Sequence, residues 1–210
     1  MIFDLWETLV DFDAAHAGEM VAGIAARLGE QPESFRRRWD AVGQRRYIGP
    51  IRDALRGIGV PEDALEDVCA LRLDYNRRAL VPRSGAVETL RELRLRGLKV
   101  GLISICSEEV ELLWPETAFA GLFDAEVFSC TAGLSKPDPR AYLACCEQLG
   151  VEPAEALFVG DGANDELAGA ERAGLRAVQI HHPVEPGDWR GERITSVPQI
   201  LELVPKETPC

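Results

Sequence analysis

The sequence predicts an α/β fold in which a parallel β-sheet is covered by helices on both faces. Residues 85–210 alternate short apolar segments, typical of strands, with segments of helical pattern. The strand segments are apolar throughout, as expected when both faces of a sheet are buried. Residues 13–80 look helical throughout, which predicts a helical insert between the first strand and the rest of the sheet. A chain of 210 residues, 46% of them apolar, can bury such a domain and a small insert.

The elements of the main domain follow from apolar runs and from the residues that end them. The first strand, 1–4, begins at Met1 and ends at Asp4. Glycines close several of the helical segments, as glycine commonly does just after a helix. The other predicted strands are 99–104, 125–129, 156–159 and 176–180, the predicted helices are 85–96, 108–113, 139–149, 164–173 and 197–203, and residues 183–196 are predicted to form a loop.

The insert is predicted to contain four helices. The first spans residues 14–28 and is stopped by Gly29, and the others begin near Pro32, Pro50 and Pro61. Proline near a helix start and glycine just past its end is the asymmetry expected of helix termini. The sequence therefore divides into a main domain, residues 1–12 and 81–210, and a helical insert, residues 13–80.

Composition excludes several classes of function. The formal net charge of −12 argues against nucleic-acid binding, which requires a basic surface. No run of about 18 apolar residues and no signal peptide is present, so we expect no membrane association. The six cysteines include no CxxC pair, which favours free thiols in the reducing cytoplasm. An anionic substrate would be repelled at long range, so its site must depend on local groups such as a metal or a lysine.

Polar side chains follow the predicted strands at the points where ligands bind in such sheets, beyond the carboxyl ends. Asp4 ends the first strand, and a carboxylate buried there is costly unless it is paired or metal-bound. Asp161 and Asp165 lie in the segment Gly-Asp-Gly-Ala-Asn-Asp that follows strand 156–159. Magnesium prefers one or two carboxylates together with water and phosphate oxygens. The spacing therefore predicts a hard-cation site here, although either Asn164 or Asp165 could instead cap a helix.

Two further residues have side chains suited to binding a phosphoryl group. Ser104 ends strand 99–104 and its hydroxyl can donate a hydrogen bond. Lys136 lies in the segment Lys-Pro-Asp-Pro, whose two prolines stiffen the loop that carries the ammonium. A lysine held in this way can neutralise both Asp4 and a bound phosphoryl group.

Taken together, these residues resemble the haloacid dehalogenase superfamily. Asp4, Ser104, Lys136, Asp161 and Asp165 match its motifs in order and in type, and the resemblance extends from residue 1 to about residue 180. It implies a Rossmann-like, doubly wound parallel sheet, with residues 13–80 as a small helical cap.

The resemblance also implies a mechanism. Asp4 would attack phosphorus and form an aspartyl-phosphate, which divides hydrolysis into two displacements. Ser104 and Lys136 would hold the phosphoryl oxygens, and the substrate would be a small phosphorylated metabolite. The implied cofactor is Mg²⁺, with ligands from Asp4, the backbone carbonyl of Trp6, Asp161 and Asp165.

Trp6 departs from the family pattern, because phosphatases of the family usually carry a second aspartate there as general acid and base. Loss of such a group typically costs about 10²–10⁴-fold in rate. Three explanations remain open: a substrate with a good leaving group, such as an aryl or acyl phosphate; substitution by Glu7; or another reaction. Family dehalogenases carry an aromatic residue at this position and use no metal, which makes a 2-haloacid dehalogenase the first alternative. The second alternative is a catalytically weak ligand-binding module.

Clustered arginines in the insert are candidates for recognising the substrate. Arg45 and Arg46 could bind a second anionic group, since guanidinium matches carboxylate and phosphate geometry. The alternative is a solvated helix face on which the arginines pair with nearby acids.

Overall fold

The computed structural model describes residues 1–180 and 189–204. Its centre is a six-stranded sheet in which every pair of neighbouring strands is parallel, in the order β3-β2-β1-β4-β5-β6. The chain builds outward from β1 first on one side and then on the other, which is the doubly wound arrangement. The predicted fold class is therefore confirmed. The strands are β1 (Ile2–Phe3), β2 (Gly101–Ser104), β3 (Ala125–Phe128), β4 (Leu157–Gly160), β5 (Arg176–Ile180) and β6 (Glu192–Ile194).

Helices cover both faces of the sheet. Leu90 and Val110 belong to the apolar cluster on one face, and Tyr142 and Leu167 belong to the cluster on the other. Because both faces are covered, the strands have no polar face to solvent, which explains their uniformly apolar sequences. The helices of the main domain are α5 (Ala86–Leu95), α6 (Glu108–Leu113), α7 (Ser129–Ala132), α8 (Pro139–Leu149) and α9 (Glu166–Arg172).

The segment between β1 and α5 forms the helical cap. Asp13 caps the N-terminus of its first helix, because the Asp13 carboxylate accepts hydrogen bonds from the backbone N–H groups of Ala15 and His16. Gly29, in the left-handed region, caps the C-terminus. Phe35 and Leu55 are fully buried within the cap, so the cap has an apolar core of its own. Its helices are α1 (Ala14–Leu28), α2 (Pro32–Ala41), α3 (Ile51–Gly57) and α4 (Leu65–Ala79), with a 3-10 turn at Gly43–Tyr47.

The chain enters and leaves the cap through two adjacent segments. Val10 and Pro82 form an antiparallel bridge, and the Arg83 N–H donates to the Leu9 carbonyl over 2.8 Å. The cap and the main domain are also joined by a buried ion pair between Arg72 of α4 and Glu109 of α6, at 2.7 Å. These contacts hold the cap over the carboxyl ends of the central strands.

Three predicted elements differ from the structure. Part of the predicted loop 183–196 forms the edge strand β6, while residues 183–188 lie outside the described residues. The last predicted helix is a 3-10 helix, Val197–Glu202. The helix predicted to start at Asn164 begins at Glu166, because Asn164 and Asp165 have left-handed backbone conformations, with φ of 54° and 60°.

Within the described ranges, no helix combines the length and apolar character needed to cross a bilayer. The five cysteines of those ranges have free thiols.

Candidate active site

The sheet register brings Asp4 and Asp161 together. β1 lies between β2 and β4, and Phe3 pairs with Val159. The Asp4 N–H continues the ladder by donating to the Val159 carbonyl over 2.8 Å. Because β4 ends one residue later, at Gly160, Asp161 follows directly beside Asp4 at the carboxyl edge of the sheet.

Lys136 lies at the centre of the site and is only 2% exposed. Its ammonium contacts Asp4 Oδ1 and lies 2.6 Å from Glu166 Oε2. Burial by itself would lower the pKa of Lys136, but the two carboxylates outweigh burial and raise it. The Lys136 side chain therefore faces the predicted nucleophile directly.

Asp4 is 5% exposed and is held by several partners. Besides Lys136, the Thr8 hydroxyl donates to Asp4 Oδ2 over 3.3 Å. Burial raises the pKa of Asp4, and the contact with Lys136 opposes that effect. These contacts fix the direction of the carboxylate at the floor of the site.

Glu166 is a site residue that the sequence motifs did not identify. It is 2% exposed, and its Oε1 accepts a hydrogen bond from the Gly162 N–H at 3.0 Å while Oε2 faces Lys136. Burial raises the pKa of Glu166 to about 8, against the opposing effect of Lys136. The only sequence signal was an acidic residue directly after Asp165, at the start of a helix, where acids are common for other reasons.

Asp165 lies outside this cluster, which corrects its predicted position. Its carboxylate is 3.1 Å from Arg172 Nη1, and its side chain is 64% exposed. The left-handed conformations of Asn164 and Asp165 delay the helix to Glu166. After Asp161, the next acid whose side chain joins the cluster is therefore Glu166, one position later than the motif predicts.

Three carboxylates converge closely enough to hold one cation. One oxygen each from Asp4, Asp161 and Glu166 can be chosen so that all lie within 4.8 Å of one another. Oxygen ligands suit a hard divalent cation such as Mg²⁺. The residues present therefore fit the predicted metal, with Glu166 in place of Asp165.

The other predicted residues of the main domain lie around this cluster. Ser104 is buried at the end of β2 and is not itself among the lining residues, whereas the residues after it, Ile105 and Cys106, line the cavity above Asp4. Trp6 lines the same cavity beside Asp4. Glu7, the possible substitute acid, has its Oε2 3.3 Å from Arg83 Nη2 and accepts a hydrogen bond from the Phe12 N–H.

A cavity of about 390 Å³ lies between the main domain and the cap. Its floor contains the carboxylate cluster and Lys136, and its roof consists of cap residues. That volume is at the small end of the range for small-molecule sites, about 300–1,000 Å³. The cap residues that line it are Ala17, Met20, Val21, Arg36, Trp39, Asp40, Arg46, Tyr47, Arg72, Tyr75 and Asn76.

The two predicted substrate arginines have different positions. Arg46 lines the cavity, and its guanidinium carbon lies 5.2 Å from the ring centroid of Trp39 and 4.9 Å from that of Tyr47. Arg45 is exposed and is not among the lining residues. The prediction for Arg45 is therefore not supported by its position, because consecutive residues of the 3-10 turn point in different directions.

Arg72 is a cavity residue that the sequence did not identify. Its guanidinium stacks on Trp39 at 4.3 Å, pairs with Glu109 and lies 3.2 Å from the Ser107 hydroxyl. In sequence it is one of many helix arginines, and only the packing of α4 on α6 distinguishes it. It joins the cap wall of the cavity to the main domain.

Comparisons with known proteins identify relatives of this chain. The family model described as haloacid dehalogenase-like hydrolase matches residues 1–174. A phosphatase of Mycobacterium tuberculosis is 33% identical over 215 residues, covering 96% of this chain and 96% of that protein. The (S)-2-haloacid dehalogenase 4A of Burkholderia cepacia is 30% identical, covering 98% of this chain and 94% of that protein.

Among solved structures, a phosphatase from Thermococcus onnurineus has the same fold. It superposes with a TM-score of 0.76 at 22% identity and covers 98% of this chain and 97% of its own. A family match across 1–174, together with two near full-length relatives at 30% identity or more, shows that this chain belongs to the haloacid dehalogenase-like hydrolases.

Proposed function

We propose that this hydrolase is a magnesium-dependent phosphatase that releases phosphate from a small phosphorylated metabolite through a phosphorylated Asp4. The observation that carries the proposal is the convergence of the Asp4, Asp161 and Glu166 carboxylates on one point, with Lys136 against Asp4. A nucleophilic carboxylate beside a cation site and an ammonium is suited to attack on an anionic phosphoryl group.

Each residue of the floor has a distinct task in this proposal. Asp4 supplies the attacking oxygen, and Thr8 and Lys136 keep it oriented. Lys136 and Ser104 hold the phosphoryl oxygens, on which charge must be stabilised during transfer. Glu166 keeps Lys136 in place through the 2.6 Å contact.

Magnesium fits the oxygen set of Asp4, Asp161 and Glu166, with the backbone carbonyl of Trp6 as a further proposed ligand. When bound, the ion supplies Lewis acidity and relieves the repulsion between Asp4 and a phosphate. Arg46 is the proposed contact for the remainder of the substrate, since it lines the cavity and its Nε has no partner within the described part of the chain.

The names of relatives support the same proposal. Besides the Mycobacterium tuberculosis phosphatase, a phosphoglycolate phosphatase of Pseudomonas aeruginosa is 32% identical over 197 residues, covering 89% of this chain and 71% of that protein. The free thiols favour the reducing cytoplasm as its compartment.

The proposal is tested by measuring phosphate release from a panel of phosphorylated metabolites, with Mg²⁺ and with excess EDTA. We expect release that depends on Mg²⁺ and returns when the ion is added back. Phosphate release of equal rate in EDTA would contradict the metal site. No release from any phosphate ester in Mg²⁺ would contradict the phosphatase itself.

A 2-haloacid dehalogenase is the second candidate function. Trp6 and the Burkholderia cepacia relative favour it, because halide leaves without a proton. The acidic cluster argues against it, since metal-free dehalogenases need no such site. Halide release from 2-chloropropionate in EDTA would establish this candidate in place of the phosphatase. A chain that binds phosphate or Mg²⁺ and turns over neither type of substrate would instead be a ligand-binding module.

A further inference from the structure

Aromatic and apolar side chains make up much of the cavity lining outside the carboxylate cluster, together with the arginines of the cap. Trp6 and Phe12 enter it from the loop after β1, and Trp39, Tyr47 and Tyr75 enter it from the cap. Met20 and Val21 add aliphatic surface. A leaving group in this space is surrounded mainly by rings and methyl groups.

Within residues 1–180 and 189–204, neither of the lining carboxylates outside the cluster is free of a basic partner. Trp6 carries only an indole N–H, which does not protonate an alkoxide. Among the lining carboxylates outside the cluster, Glu7 lies 3.3 Å from Arg83, and Asp40 lies 3.4 Å from Arg46. Each of these carboxylates is therefore already paired with an arginine.

The carboxyl groups of the cluster are also engaged. Glu166 contacts Lys136 and accepts from the Gly162 N–H, and burial raises the pKa of the Tyr75 hydroxyl, which makes it a weaker acid. Because Trp6 supplies no acid and the lining carboxylates of the described residues are engaged, the cavity favours a leaving group that departs as an anion.

We propose that the substrate is an aryl phosphate, a phosphate monoester of a phenol-type hydroxyl. This inference rests on the proposed phosphatase function and names its substrate class. A phenol has a pKa of about 10, whereas the pKa of an aliphatic alcohol is far higher, close to that of water. The aromatic wall binds the ring of the same leaving group, so chemistry and shape favour one substrate class.

The reaction balances without a proton donor. An Asp4 carboxylate oxygen forms a bond to phosphorus, the bond from phosphorus to the aryl oxygen breaks, and its electron pair leaves with the phenolate. Water then attacks the phosphorus of the aspartyl-phosphate, which restores Asp4 and yields inorganic phosphate. The proton of that water passes to the phosphate product.

Sugar and polyol phosphates fit the cavity less well. Their hydroxyl groups lose water on entry and need hydrogen-bond partners in return. Arg72 is already paired with Glu109, and Asn76 donates to the Arg72 carbonyl over 3.0 Å. The cap wall thus offers a ring more favourable contacts than it offers a chain of hydroxyls.

The test compares kcat/KM for 4-nitrophenyl phosphate, phenyl phosphate and ethyl phosphate in Mg²⁺, for the wild-type protein, Trp6→Asp and Trp6→Phe. In wild type we expect a steep fall from aryl to ethyl phosphate. Trp6→Asp supplies an acid and should reduce the aryl-to-ethyl ratio by about 10²–10⁴-fold. Trp6→Phe keeps an aromatic side chain without an acid and should retain the wild-type ratio.

Because hydrolysis of the aspartyl-phosphate also lacks a base, 4-nitrophenyl phosphate should give a burst of one nitrophenolate per enzyme.

The outcomes separate this inference from the phosphatase proposal. Equal kcat/KM for aryl and ethyl phosphates in wild type would overturn the aryl inference and leave the phosphatase intact. No hydrolysis of any of the three esters would also overturn the aryl inference, and the metabolite panel in Mg²⁺ would then decide the phosphatase proposal separately. The wild-type ratio and burst decide the question even if Trp6→Asp fails to fold.

Discussion

The floor and the roof of the cavity contain different kinds of side chain. The floor contains Asp4 and Asp161, which adjacent parallel strands place side by side, together with Glu166 of α9 and the buried Lys136. The roof contains rings and arginines from cap helices, held by stacking and by one buried ion pair. In the proposed reaction, bond breaking therefore depends on groups gathered at the sheet edge, whereas the choice of substrate depends on the packing of the cap.

The largest effect is expected at the floor. Asp4→Asn removes the nucleophile while preserving its shape, and turnover should fall by at least about 10⁴-fold, as for other catalytic nucleophiles. Steady-state phosphate release measures the loss, and Asp11→Asn, an exposed neighbour, is the matched control. More than a hundredth of wild-type activity in Asp4→Asn would contradict the proposed role.

The next largest effect is expected for the buried ion pair that joins the cap to the main domain. Arg72→Ala leaves Glu109 buried without its partner, so the free energy of unfolding should fall by about 3–5 kcal/mol. Urea denaturation measures it. Arg77→Ala, on the same helix and in an exposed pair with Glu116, should cost less than about 1 kcal/mol. Equal losses in the two variants would show that the buried pair does not hold the cap.

A smaller effect distinguishes Glu166 from Asp165. Glu166→Gln should weaken activation by Mg²⁺ by about 10–100-fold, the range typical of groups that orient a metal site. Asp165→Asn should leave the Mg²⁺ requirement unchanged, because its carboxylate faces Arg172. The measurement is the Mg²⁺ concentration for half-maximal activity, and the reverse order of the two variants would restore the motif-based assignment.

The smallest effect is expected at the roof. Arg46→Ala removes a cavity-lining guanidinium and should raise KM about tenfold with a small change in kcat, as expected for a group that contributes binding. Arg45→Ala, which changes an exposed side chain, should not alter KM. An equal rise in KM for both would indicate long-range charge rather than contact.

The predictability of the floor and the roof differs for a physical reason. Strand ends in a parallel sheet meet at one edge, so Asp4, Ser104 and Asp161 could be assigned to a common edge from apolar runs alone. Arg72 resembles any other helix arginine until α4 packs on α6. For the roof, sequence spacing gives the helices but not the directions in which their side chains point.

The sequence by itself determined the α/β class, the helical insert and the order of the acidic, hydroxyl and lysine residues along the chain, because these depend on apolar periodicity and on local chemistry. Tertiary structure alone decided that Glu166 joins the cluster, that Arg46 and not Arg45 lines the cavity, and that aromatic rings line it as well. The reason is that a left-handed turn of two residues, or a single position along a helical turn, reverses which side chain faces inward.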